Sequence, residues 1–177
     1  MKVINLFGGP CRGKSTTAAG LFYNFKISGY NCELVTEYAK DMTFEERNNI
    51  LKDQIYILAK QNRRLERLRN KVDLTITDSP LILGLIYAPK EYYEYYTPLT
   101  HEVFNSYNNI NFYLTSTKGL GYQSSGRSQT EMEASLIDKK VKELLDYNNI
   151  PYYTIDIDPD NNVSNLDIIT EIIKKEI

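Results

Sequence analysis

Tryptophan is absent from this chain, histidine occurs once and cysteine twice. Cys11 and Cys32 have no metal-ligand spacing, which argues against a zinc site and against a disulfide-stapled scaffold. Cys11 sits in a glycine-rich loop that a disulfide would stiffen, so free thiols in a reducing cytoplasm are expected. His101, the one histidine, has no partner in the pattern and reads as structural. Long apolar runs are also missing. The longest, Leu81 to Ala88, is far short of the ~20 residues a membrane helix needs. No charged-then-apolar leader opens the chain, because Gly8 and Gly9 interrupt the first apolar run. There is no surplus of positive charge: the formal net charge is −2. That counts against a non-specific nucleic-acid binder. Neither internal repeats nor low-complexity linkers occur.

What is present fits one ordinary domain over residues 1–177. Hydrophobic residues make up 42% and charged residues 25%, close to globular averages, so the chain has the means to bury a core. Asn, Ile, Lys and Tyr are abundant, which matches the coding bias of an AT-rich genome. A viral source would set the expected compartment as the host cytoplasm. Short apolar runs alternate with helical patterns, the signature of stacked βαβ units. Strands are expected at Val3 to Phe7, Glu33 to Thr36, Leu74 to Thr77, Asn111 to Thr115 and Tyr152 to Ile157. A helix from Lys14 to Ser28 ends before Gly29. Leu51, Gln54, Leu58, Gln61, Leu65 and Leu68 make one inward helical stripe. Thr130 with Glu133 reads as a capping box for a helix faced by Ile137, Val141, Leu144 and Leu145. A last helix starts near Ser164. The expected fold is α/β, an open doubly wound parallel sheet that binds ligands at the carboxyl ends of its strands.

Gly8-Gly9-Pro10-Cys11-Arg12-Gly13-Lys14-Ser15 satisfies the full phosphate-loop pattern, with a strand before it and a helix after it. Glycines let the backbone curl so that N–H groups converge on phosphate oxygens. The helix N-terminus adds a favourable dipole. Lys14 then reaches the β- and γ-phosphates, and the Ser15 hydroxyl is placed for Mg²⁺. The nucleotide-binding segment is therefore Gly8 to Thr16, and ATP or GTP with Mg²⁺ is the expected cofactor set.

This loop, with Glu37-Tyr38-Ala39-Lys40-Asp41 after the second strand and Asp78-Ser79-Pro80 after the third, resembles the small P-loop kinases. The pattern is most similar to the nicotinamide-riboside-kinase-like group and the deoxynucleoside kinases. The resemblance implies a three-layer fold with a five-stranded parallel sheet and a lid at about residues 117–130. It also implies transfer of the ATP γ-phosphoryl to a hydroxyl of a nucleoside-like small molecule. In those kinases an acid at the position of Glu37 takes the acceptor's proton, and a glutamine from the region of Gln54 reads the base.

Chemistry and position support these assignments residue by residue. Glu37 ends the second strand, where a carboxylate can serve a hydroxyl nucleophile. Asp78 ends the third strand, where an acid commonly holds Mg²⁺ through water. Which of the two is the base stays open at this point. Ser79 can N-cap a following helix and Pro80 suits its first turn. Arg127, in the Gly/Ser-rich stretch after the fourth strand, can stabilise charge on the transferring phosphoryl, with Lys118 a weaker candidate. Arg12 either faces solvent or touches phosphate. Tyr38 and Gln54 are acceptor-site candidates, whereas Gln61 is expected at a protruding helix end, its amide in water. Lys60, Arg64, Arg67 and Lys71 read as a solvated face. Tyr92, Tyr93, Tyr95 and Tyr96 read as loop packing or a subunit contact, which keeps a homodimer open. Competing functions are a nucleoside monophosphate kinase, a kinase acting on nucleic acid and a regulatory P-loop NTPase without acceptor.

Overall fold

The computed structural model describes residues 1–116 and 131–177. The core element is β1 (Lys2–Phe7), whose side chains alternate between two apolar surroundings. Ile4 and Leu6 point to one face, and Val3 and Phe7 to the other. A strand buried on both faces must be apolar on both, which explains its continuous run. Around β1 lie β2 (Cys32–Val35), β3 (Leu74–Thr77), β4 (Asn108–Thr115) and β5 (Tyr153–Asp156), all parallel, in the order β2-β3-β1-β4-β5. Ile4 aligns with Ile76 of β3 and with Ile110 of β4, so an isoleucine row crosses the middle of the sheet.

Helices cover both faces. Ala18, Leu21 and Phe25 of α1 (Lys14–Ile27) and Ile169 and Ile173 of α7 (Asn162–Glu176) bury one side. The other side packs against Leu58 and Leu65 of α3 (Gln54–Glu66), Phe104 of α5 (Tyr96–Asn105), and Val141 and Leu145 of α6 (Glu131–Tyr147). Each fully buried Leu, Ile or Phe contributes about 1.5–3 kcal/mol. An exposed pair such as Lys26–Glu33, at 3.1 Å, contributes at most about 1 kcal/mol, so apolar layering holds the fold.

The five expected strands all form, with β4 starting three residues earlier than its apolar run. Its extension carries Asn109, which accepts from Asn5 at 2.8 Å, while Asn111 accepts from Asn5 at 3.0 Å. That network satisfies a buried asparagine in the central strand. The stripe from Leu51 to Leu68 is not one helix. A 3₁₀ turn spans Asn48–Lys52, and Asp53 then caps α3 by accepting from the Tyr56 amide at 3.2 Å. Ser79 does not cap the next helix. Its own amide donates to Thr77 Oγ1 at 3.1 Å, and Pro80 stands at the start of a 3₁₀ turn, Leu81–Leu83, that leads into α4 (Gly84–Tyr87). A short α2 (Tyr38–Phe44) follows β2 directly. Thr130, the first residue of the expected capping box, lies outside the described residues. No helix among the described residues is long and apolar enough to cross a membrane.

α1, which follows β1, packs on one face, while α3 to α6, from the segments around β3 and β4, contribute to the other. A crevice therefore opens at the carboxyl end of β1, and the phosphate-loop segment lies there.

Candidate functional site

The loop between β1 and α1 is shaped by its backbone. Gly8 has φ +144° and Gly13 φ +75°, values that side-chain-bearing residues rarely adopt. Cys11 adopts φ 62° despite its side chain, a strain of about 1–2 kcal/mol that the curl of the loop imposes. Gly13 is the N-cap of α1, so no side chain caps that helix, and its first turn contains no acid. Its leading N–H groups and its dipole are arranged for an anion. The Lys14 ammonium donates to the carbonyls of Gly8 at 2.8 Å and Gly9 at 2.9 Å, which holds its charge against the loop.

Ser15 lies in the first turn of α1 and Asp78 directly follows β3, a strand hydrogen-bonded to β1. The Ser15 hydroxyl donates to Asp78 Oδ2 at 2.6 Å. Asp78 is 5% exposed, and its Oδ1 is buried with no hydrogen-bond partner among the described residues. A buried carboxylate oxygen without a donor asks for a cation or a water. Among the described residues no three His, Cys, Asp or Glu side chains form a metal cage. A hydroxyl and one acid fit Mg²⁺, which keeps several waters and takes further oxygens from phosphate.

Glu37 is the N-cap of α2 and half-buried. It lines a cleft of about 460 Å³ together with Asp78 and the loop from Pro10 to Thr16. Ile57, Leu58, Leu81 and Leu83 give the cleft an apolar stretch, and Gln54, Lys40 and Lys52 also line it. Tyr87 faces the same space. The residue is 42% exposed overall, but desolvation of its hydroxyl and then the charge of Glu37 push that group up to about 12, so it stays a neutral donor across the physiological range.

The peptides on either side of Glu37 are fixed from α3. Gln61 Oε1 accepts from the Tyr38 amide at 2.8 Å, and its Nε2 donates to the Thr36 carbonyl at 3.2 Å. Arg64 donates to the Thr36 carbonyl and hydroxyl, both at 3.1 Å, and pairs with Asp41. Gln61 is thus 3% exposed and fully engaged, not a solvated amide at a helix end. The expectation failed because the partner of Gln61 is main chain from another element. Arg64 likewise departs from the solvated face expected of it.

Gln54 is 4% exposed, and its Nε2 donates to the Leu51 carbonyl at 2.7 Å while the residue lines the cleft. Tyr38 turns its hydroxyl to Tyr56 at 3.1 Å, with the Arg64 guanidinium over its ring. Tyr92 packs edge-on against Tyr93 and Tyr96, and its hydroxyl accepts from the Ile55 amide at 3.1 Å. The Arg12 side chain pairs with Asp138 of α6 at 3.0 Å. Asp138 was not singled out from the sequence, although its spacing with Val141 and Leu145 puts an acid on the apolar face of α6. Arg127, Lys118 and the expected lid at 117–130 lie outside the described residues.

Sheet order, glycine loop and the Ser15–Asp78 pair define a P-loop protein with a kinase-like fold. Residues 3–160 match the family described as an AAA domain, and the chain belongs to that family. No curated protein matches it in sequence. Among solved structures it is similar to a deoxyadenosine kinase from M. mycoides with dCMP and dCDP bound, at TM-score 0.65 and 21% identity over 99% of this chain and 100% of that one. A NadR protein in complex with NR gives TM-score 0.71 and 18% identity over 96% of this chain and 51% of that one. A thymidylate kinase from Ehrlichia chaffeensis gives TM-score 0.63 and 13% identity, covering 98% of both chains. At these identities the likeness is one of fold.

Proposed function

We propose that this protein is a Mg²⁺-dependent kinase that transfers the γ-phosphoryl of ATP to a hydroxyl of a nucleoside-like small molecule. The observation that carries the reading is the joint placement of Glu37 and Asp78 in one cleft with the phosphate loop. A hydroxyl-phosphorylating enzyme has work for two carboxylates. Asp78 is committed to the Ser15 hydroxyl and is the acid suited to the metal. Glu37 is then the base.

The backbone from Gly8 to Thr16 binds the triphosphate, with Lys14 supplying positive charge at the β- and γ-phosphates. Ser15 and Asp78 hold Mg²⁺, which when bound neutralises phosphate charge. The acceptor lies against the apolar wall, with Gln54 available to its base and Tyr38 supporting the corner. Its hydroxyl gives its proton to Glu37 as its oxygen bonds to the γ-phosphorus. The bond from that phosphorus to the β,γ-bridging oxygen breaks, and ADP leaves. Arg127 is assigned on sequence alone to the charge that spreads over the transferring group.

A nucleoside monophosphate acceptor is the second reading, favoured by Lys40 and Lys52 in the lining of the cleft. One experiment addresses both: labelled ATP or GTP offered to panels of nucleosides, nucleoside monophosphates and oligonucleotides, with the parent and Glu37→Gln. The amide keeps shape and hydrogen bonding but removes the base. The rate on a nucleoside should fall about a hundredfold or more, with ATP binding near normal. Transfer chiefly to monophosphates, insensitive to Glu37→Gln, would establish the second reading. Label on oligonucleotides alone would reject both.

A further inference from the structure

The phosphate loop is gripped from behind by a helix distant in sequence. Asp138 Oδ1 accepts from the Gly9 amide at 2.7 Å, and its Oδ2 accepts from Arg12 Nε at 3.0 Å. The other guanidinium nitrogen, Nη2, completes a two-nitrogen pairing at 3.0 Å. Nη1 reaches the Ser116 carbonyl past the end of β4 at 3.4 Å. One carboxylate, 9% exposed, therefore holds both the ascending limb of the loop and its apex residue. Both guanidinium nitrogens meet the one oxygen Oδ2, and charge-assisted bonds are stronger than neutral ones.

The identity of Gly9 points the same way. The phosphate-loop pattern leaves its second position free, and the backbone of Gly9 lies outside the positive-φ region. A Cβ there would lie 2.7 Å from Asp138 Cβ, 2.9 Å from the Ala134 carbonyl and 3.0 Å from Asp138 Cα. Two of these are backbone atoms of α6 that cannot step aside. Gly9 is a glycine so that α6 can seat on the loop. Besides Arg12, Tyr113 faces Asp138 and, pushed up to about 12 by burial and then by the Asp138 charge, stays neutral.

We propose that Asp138 is a positioning residue for nucleotide binding, setting the shape of the phosphate loop through Gly9 and Arg12, and that α6 is thereby a structural part of the phosphate site. The inference rests on the phosphate-loop reading alone and needs no acceptor.

The test is the affinity for Mg·ATP by calorimetry, alongside thermal melting without ligand. Asp138→Asn keeps the shape and the acceptor for Gly9 but releases Arg12, and its Kd should rise about tenfold with near-parental melting. Asp138→Ala and Gly9→Ala should lose more. Adding Arg12→Ala to Asp138→Asn should cost nothing further, because the pair acts as a unit. An Asp138→Asn Kd within about twofold of the parent overturns the proposal. So does a full additional loss from Arg12→Ala. A parent that binds no Mg·ATP would instead defeat the phosphate-loop reading itself.

Discussion

Asp78 holds one carboxylate oxygen on Ser15 and leaves the other buried without a donor among the described residues. A lone buried acceptor costs about 1–3 kcal/mol. That oxygen is an unmet acceptor that the proposed Mg²⁺ would meet. Asp78→Asn removes the carboxylate charge and keeps the size. The rate should need far higher Mg²⁺, whereas denaturant unfolding without ligand should show equal or greater stability. A Mg²⁺ titration of the rate identical to the parent's would remove Asp78 from the metal shell. Lys14 has a different duty. Its ammonium already sits on the Gly8 and Gly9 carbonyls, so the loop is charged before nucleotide arrives. The placement of both residues at the binding edge was legible in the sequence, since each follows a strand there. Their spatial relation was not.

At the scale of elements, the corner between β2 and α2 decides where Glu37 stands. That corner is too short to hold itself. Its two flanking peptide groups are satisfied by Gln61 and Arg64, one and two turns along α3 from Leu58. Gln61→Leu should strand the Tyr38 amide and weaken the hold on the Thr36 carbonyl, costing about 1–3 kcal/mol in a chemical denaturation. Turnover should fall through displacement of Glu37 while the Kd for Mg·ATP stays near the parental value. Equal losses in both quantities would show that the corner does not act through Glu37. The polar interruptions at Gln54 and Gln61 were visible in the helical stripe. Both line the cleft and both hold main chain, Gln54 at Leu51 nearby in sequence and Gln61 at the distant corner after β2; that difference depends on how α3 lies across the end of β2, and the stripe carries no such information.

At the scale of the whole molecule, the phosphate site borrows from β1, α1, β3 and α6, and ligand binding should stabilise all of them together. At about one hundred times its Kd, Mg·ATP should add ~2.7 kcal/mol. For a chain of this size each kcal/mol raises the melting temperature by about 2–4 °C. The parent should show this rise and Lys14→Ala should not, each measured against its own melting without ligand. A rise of equal size in Lys14→Ala would place the nucleotide elsewhere.

What the sequence by itself determined is what neighbouring residues can encode. Glycine spacing dictates the curl of the phosphate loop, and a run such as Val3 to Phe7 must be buried on both faces. Alternating runs of this kind restrict the fold to a parallel sheet with helices on either side. Tertiary structure alone decided the rest. The bond from Ser15 to Asp78 spans 63 residues, that from Arg12 to Asp138 spans 126, and that from Tyr38 to Gln61 spans 23. Each joins polar groups whose local patterns are compatible with solvent. Burial preference is the same for every apolar strand, so it does not say which strand lies beside which. The pairing of β1 with both β3 and β4 does say so, and with it which carboxylates meet the loop.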